Sequence, residues 1–138
     1  MTVVVTAAVI EQAGRFLVTR RQPGVHMEGL WEFPGGKCRL DEGLDECMRR
    51  ELREELDADA TVGEEMLVTT FSYDDRRVEL HFIRCTLLGE PQPQQGQEMR
   101  WVARADLPSL PFPPADDELI RMLICEMPPA DVTGKESA

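Results

Sequence analysis

The sequence predicts an α/β fold, a mixed β-sheet covered by helices. Strand-length runs of β-branched and apolar residues recur along the chain, one amphipathic helix lies in its interior, and a second closes it. Its 138 residues suit one domain with a real core and are too few for two ordinary ones. With 42% hydrophobic and 30% charged residues, the composition is that of a soluble globular protein.

The elements follow in order. Val3 to Ile10 is a β-branched strand, "EQAGR" has the composition of a hairpin turn, and "FLVTR" is the return strand. "RQPGVHMEG" is a loop punctuated by Pro23-Gly24, and "LWEF" a short strand. A charged helix comes next. "EMLVTTFSY" and "VELHFIRCTL" are strands joined across the polar "DDRR", then "GEPQPQQGQ" is a loop and "MRWVA" another strand. "DDELIRMLICEM" is the closing helix, with Leu119, Met122 and Leu123 on one stripe, halted by Pro128-Pro129. Residues 1–126 are expected to form the domain and 127–138 a disordered tail.

Charge narrows the partners. The net charge is −11 and no basic block occurs, which argues against a nucleic-acid polymer or an anionic membrane. A small anionic ligand would have to arrive with cations. The four cysteines (Cys38, Cys47, Cys85 and Cys125) show neither C-x-x-C nor zinc-like spacing, and read as reduced thiols of a cytoplasmic protein. The apolar start lacks a basic leader region, and no apolar run reaches the ~18 residues that span a bilayer.

The interior helix carries the chemistry. Between Gly35 and Leu56 stand seven carboxylates and five basic residues. Gly43 serves as N-cap with Glu46 at the third helical position, so the helix should run from Leu44 to Leu56. At about 100° per residue, Leu44, Cys47, Met48 and Leu52 form the apolar stripe. Glu51 and Glu55 fall inside that arc and Glu54 at its edge, while Asp45, Glu46, Arg49 and Arg53 take the far, solvated side. Carboxylates at such spacing repel unless cations sit among them. An all-oxygen donor set favours magnesium or manganese over zinc.

The stretch resembles the Nudix box, G-x5-E-x7-R-E-U-x-E-E-x-G-U, through Gly36, Glu42, Arg50, Glu51, Leu52, Glu54 and Glu55. It departs at Asp57, where the last glycine belongs, and at Ala58, a small version of the final aliphatic residue. The glycine ends the helix in a left-handed conformation that costs Asp roughly 1 kcal/mol. "TRRQPGVHMEGLWEFPGGK" and "PFPPADDELI" extend the likeness to MutT-type members, over nearly the whole chain. The resemblance implies an α/β/α sandwich, a single nucleoside triphosphate as partner, and hydrolysis to the monophosphate and pyrophosphate by a monomer or homodimer. It also implies a magnesium site (manganese being the alternative) formed by Glu51, Glu54, Glu55 and the Gly36 carbonyl. Glu98 would serve as a further ligand or base, and Glu42 and Arg50 would brace the helix, Arg50 pairing with Glu46 and Glu54.

The substrate side rests on fewer residues. Arg21, Arg20 and Lys37 are candidates for phosphate oxygens, His26 for substrate or a structural role, and Phe82 with Leu30 or Trp31 for apolar walls around the base. Asp116 stands where MutT-type enzymes often carry Asn; it either reads the base or caps the last helix. The expected activity is removal of 8-oxo-dGTP or related nucleotides, with hydrolysis of CTP or 5-methyl-dCTP as the alternative. A non-catalytic nucleotide-binding module is the remote third reading, disfavoured by the complete set of box glutamates.

Overall fold

The computed structural model describes residues 1–126; the tail expected over 127–138 lies outside the described residues. Its central strand, β1 (Thr2–Gln12), turns through Ala13-Gly14 into β2 (Arg15–Arg20). Both turn residues have positive φ, 51° and 77°, as a two-residue hairpin demands. β3 (Trp31–Glu32), β4 (Gly35–Lys37), α1 (Leu44–Leu56), β5 (Ala60–Tyr73), β6 (Arg76–Leu87), β7 (Met99–Ala103) and α2 (Asp117–Cys125) follow. The seven strands form one sheet with the path β3-β2-β1-β6-β5, to which β4 adds along β1 and β7 along β2. β1 and β6 are parallel and the remaining pairs antiparallel, so the sheet is mixed.

Alternation along β1 makes two cores. Ala8 and Ile10 join Leu17, Ile83 and Leu87 beneath Met48, Leu52 and Leu56 of α1. Ala7 and Val9 join Phe16, Leu80 and Phe82 beneath Leu119, Ile120 and Leu123 of α2. β1 is thus covered on both sides, which is why it reads as a continuous apolar run. The layers are helix, sheet, helix: an α/β/α sandwich.

Several expectations change. β4 was not separable in sequence from the charged helix; it exists because Gly35, Gly36 and Lys37 pair with Ala7, Thr6 and Val5. Short 3-10 helices at Arg104–Ser109 and Pro114–Asp116 also form. On α2, Ile120 is buried and Met122 is 37% exposed, because the face meeting the sheet is Leu119-Ile120-Leu123. Asp57 ends α1 at φ 50°, ψ 42°, adopting the left-handed turn itself. The carbonyls it leaves over are met by the β6–β7 loop: Gln92 N–H donates to Leu56 O and Gln94 N–H to Glu55 O. The cysteines are not all reduced thiols: Cys38 and Cys47 form a disulfide, with Cα atoms 5.3 Å apart, while Cys85 and Cys125 are free. Nine residues of sequence separate the bonded pair, yet β4 and α1 bring their Cα atoms within bridging reach. No helix among the described residues is long and apolar enough to cross a membrane.

Candidate active site

α1 begins at Gly43, whose N–H donates to Glu46 Oε1, and its first turn carries Asp45 and Glu46 at the positive helix end. Its buried stripe is Cys47, Met48, Leu52 and Leu56. Glu51 and Glu55 are half-buried beside that stripe, whereas the Glu54 side chain is 52% exposed and Arg49 and Arg53 are exposed.

Arg50 ties the acidic groups together. Its Nε and Nη2 donate to Glu42 in a two-pronged pair, Nη1 donates to Glu51 Oε2 at 3.0 Å and Glu54 Oε1 at 3.1 Å, and Nη2 also donates to Lys37 O. Glu46 is not its partner, being engaged at the cap. Hydrogen bonds from Arg50 and from the Arg39 backbone hold the Glu42 carboxyl down to about 2. Burial pushes Glu51 up against the pull of Arg50. Burial, then Glu32 and Glu51, push Glu55 up to about 8.

β4 completes this wall. A Cβ at Gly36 would lie 2.4 Å from Glu51 Oε1, and one at Gly35 would lie 2.0 Å from Thr6 O. The two glycines therefore let β4 pass between β1 and α1, and any side chain at 36 would displace Glu51. The Gly36 carbonyl accepts a hydrogen bond from Thr6 Oγ1 at 3.4 Å. Among the described residues no three acidic, histidine or cysteine side chains stand arranged to enclose an ion as they are; Arg50 takes one oxygen each of Glu51 and Glu54 and orients the other. The donor set nevertheless fits a hard divalent cation: it is all oxygen, and the burial and mutual repulsion that raise Glu55 and Glu51 are what a bound cation would offset.

Beside the acidic wall opens a cavity of about 700 Å³, lined by Arg21, Glu32, Gly36, Lys37, Asp116 and apolar residues that include Phe33, Phe71 and Leu80. Asp116 is 5% exposed and makes no capping hydrogen bond, so the helix-cap role is not the one its side chain plays. Burial, then the charges of Glu32 and Asp117, push its carboxyl up to about 7. Glu32 is itself raised by burial, opposed by Arg21, whose Nη1 donates to it at 3.1 Å. Thr69 Oγ1, in the cavity wall, is buried with no partner. So is Thr19 Oγ1, in a smaller recess that Arg20, Arg21, Glu32, Glu55 and Gln97 also line.

The other candidates divide. Arg21 and Lys37 line the cavity; Arg21 Nε donates to the backbone carbonyl of His26, an exposed loop residue. Arg20 donates to Gly29 O and pairs with Glu98, which also pairs with Arg100. Glu98 is thus held by arginines, and Gln97, its neighbour, donates to Glu55 O instead. Phe82 does not line the cavity: it is fully buried, edge-on to Phe33, because the sheet and Phe33 cover it. Trp31 is core too, under Arg100. Sequence reasoning missed Glu32, Thr69 and Phe71. A carboxylate inside the apolar "LWEF" was the signal for Glu32; the other two carry none.

The acidic face of α1 thus lies across Gly36 from a largely apolar cavity, on a mixed sheet between two helices. The chain belongs to the Nudix family, whose NUDIX domain matches residues 5–122. It is 35% identical over 130 residues to the CTP pyrophosphohydrolase of Escherichia coli K12, covering 92% of this chain and 96% of that one. It is 33% identical over 124 residues to the 8-oxo-dGTP diphosphatase of Haemophilus influenzae, covering 88% and 91%. The solution structure of the E. coli ORF135 protein superposes with a TM-score of 0.82 at 34% identity, covering 94% of this chain and 95% of that one.

Proposed function

We propose that this enzyme is a magnesium-dependent nucleoside triphosphate pyrophosphohydrolase whose base pocket reads the amino-bearing edge of cytosine. The observation that carries the substrate reading is the buried Asp116 carboxyl, raised to about 7 beside Glu32 in the cavity that reaches Gly36 and Lys37. Near neutral pH both its protonated and its ionised forms are populated. Protonated, it donates to cytosine N3 through one oxygen while the other accepts from the exocyclic amino group. Ionised, it accepts from N1–H and the amino group of an oxidised guanine, the second reading, which the similarity to 8-oxo-dGTP diphosphatases favours. Phe33, Phe71 and Leu80 supply apolar surface for either base.

Glu51, Glu54, Glu55 and the Gly36 carbonyl would hold the divalent ion. When bound, it would neutralise phosphate charge and lower the pKa of a water. Arg21 and Lys37 face the same cavity and meet the phosphates. A carboxylate oxygen of Glu55 not taken by the ion would be placed to accept the proton of the attacking water. Glu98 takes part only if it leaves Arg20 and Arg100. The test is a substrate panel with magnesium, read as pyrophosphate release across pH. Cytidine triphosphates should lose kcat/KM above about pH 7 as Asp116 ionises, and 8-oxo-dGTP should gain. Orthophosphate as the direct product, or full activity in excess chelator, would remove the reading.

A further inference from the structure

The disulfide lies next to the catalytic wall. Cys38 is the first residue after β4, and its N–H donates to Val4 O at 2.8 Å, which anchors it to β1. Cys47 is fully buried in the first turn of α1. The bridge closes a segment carrying Arg39 and Glu42: the Arg39 N–H donates to Glu42 Oε1, Glu42 receives the two-pronged contact of Arg50, and Arg39 lies 3.9 Å from Glu54. Thr6 Oγ1, buried between layers, lies 3.6 Å from Cys47 Sγ and donates to Gly36 O. One hydroxyl thus touches both the bridge and the residue that faces Glu51.

Access to the bridge is one-sided. Cys38 is half-buried and lines a groove of about 660 Å³ with Lys37, Arg39, Arg76, Glu79 and His81. A reductant can therefore reach Cys38 from this groove, while Cys47, fully buried, is closed to it. We propose that Cys38 and Cys47 form a thiol–disulfide pair through which peroxide and dithiols set the order of residues 39–46, and with it the divalent-cation affinity of the site. The inference rests on the assignment of Glu51, Glu54 and Gly36 to that site.

The chemistry balances. In the reduced protein, the Cys38 thiolate attacks hydrogen peroxide, the O–O bond breaks, and hydroxide leaves to become water, giving a sulfenic acid at Cys38. Cys47 sulfur then displaces the sulfenic hydroxyl, which departs as water with the Cys47 proton. Two thiols lose two electrons, and the peroxide is reduced to two waters. In reverse, a dithiol attacks Cys38 sulfur and Cys47 leaves as thiolate; the second thiol of the reductant then frees Cys38 and closes its own disulfide. With the bridge open, the segment loses its covalent tie and keeps the Arg50–Glu42 contact, the Arg39–Glu54 approach and its backbone bonds, so it opens more often and Arg50 orders Glu51 and Glu54 less well. The oxidised enzyme therefore binds its cation more tightly.

The full chain is reduced, freed of reductant, and treated with near-stoichiometric hydrogen peroxide. Alkylation under denaturing conditions should mark all four cysteines before treatment and only Cys85 and Cys125 after it, with a Cys38–Cys47 linked peptide. Amide hydrogen exchange over 39–46, measured without nucleotide, should be faster in the reduced form. The half-saturating magnesium concentration for pyrophosphate release should be about three- to tenfold higher in the reduced form, with kcat little changed. Cys38→Ser and Cys47→Ala should each stay at the reduced value after peroxide, and Cys125→Ser should respond as the parent does. Two substitutions at opposite ends guard against a folding defect at the buried one. The inference fails if peroxide leaves four alkylatable cysteines, or if the bridge forms while exchange and magnesium dependence stay the same. Alkylation and exchange use no nucleotide, so they decide the pair's chemistry even if the substrate reading is wrong.

Discussion

Asp116→Asn separates base reading from helix support. The parent carboxyl rises from 3.8 to about 7 in the folded protein because it is buried and faces Glu32 and Asp117. A raised carboxyl binds its proton more tightly in the native state than in the unfolded one. Its contribution is therefore neutral below about pH 4 and becomes destabilising as pH rises towards 7. Over that window the native state gives up about 1.4 kcal/mol per pH unit, about 4 kcal/mol in all as an upper value. The amide does not titrate, so the stability of the variant relative to the parent should climb by up to that amount between pH 4 and pH 8. Urea unfolding of the metal-free proteins across this range measures it. In catalysis the amide, a donor and acceptor at every pH as the protonated carboxyl is, should favour cytidine over oxidised guanine nucleotides by roughly ten- to a hundredfold above about pH 7, the worth of one hydrogen bond in a desolvated pocket. It should also flatten the pH profile for cytidine triphosphates. kcat/KM for CTP, dCTP, dGTP and 8-oxo-dGTP, with melting temperature, completes the assay. A pH-independent stability difference would mean that Asp116 is not a raised carboxyl. A uniform fall for all four nucleotides with a lower melting temperature would make it a support for the start of α2.

Other substitutions probe the acidic wall and the turns. Glu54→Gln and Glu55→Gln should each lower turnover at least about a hundredfold in magnesium. Glu55→Gln should also stabilise the metal-free protein by up to about 3 kcal/mol at pH 7, since a carboxyl raised from 4.5 to about 8 opposes folding there; equal kinetic losses for Arg53→Gln, whose side chain is 61% exposed against Asp59, would refute this placement. Arg50→Met should raise the half-saturating magnesium concentration about tenfold and lower the melting temperature, because Glu42, Glu51 and Glu54 lose their common partner; an unchanged magnesium titration would count against that bracing. Ala13→Asn, at φ 51° in the exposed hairpin turn, should stabilise by about 0.5–1 kcal/mol in denaturant unfolding with activity unchanged.

The sequence by itself determined what depends on short-range spacing. α1 and its N-cap were legible because Gly43 and Glu46 are three residues apart and the apolar stripe repeats with the helix, so Glu51 and Glu55 could be put on its inner face and Arg53 outside. β1, β2, β6 and β7 were legible from β-branched runs. Only the tertiary structure decided what depends on pairing between distant segments. Gly36 lies against Glu51 because β4 pairs with β1, thirty residues away at Thr6, and two adjacent glycines carry no register of their own. Phe82 and Leu80 share one face of β6, yet only Leu80 meets the cavity, because Phe33 covers Phe82. Asp116 had the sequence of a cap and became a buried carboxyl when the Pro114–Asp116 turn aimed it at Glu32. Cys38 and Cys47 had no motif spacing, and became a pair because a strand and a helix cross there. Periodicity reports which face of an element is apolar; it carries no information about which other element that face will meet.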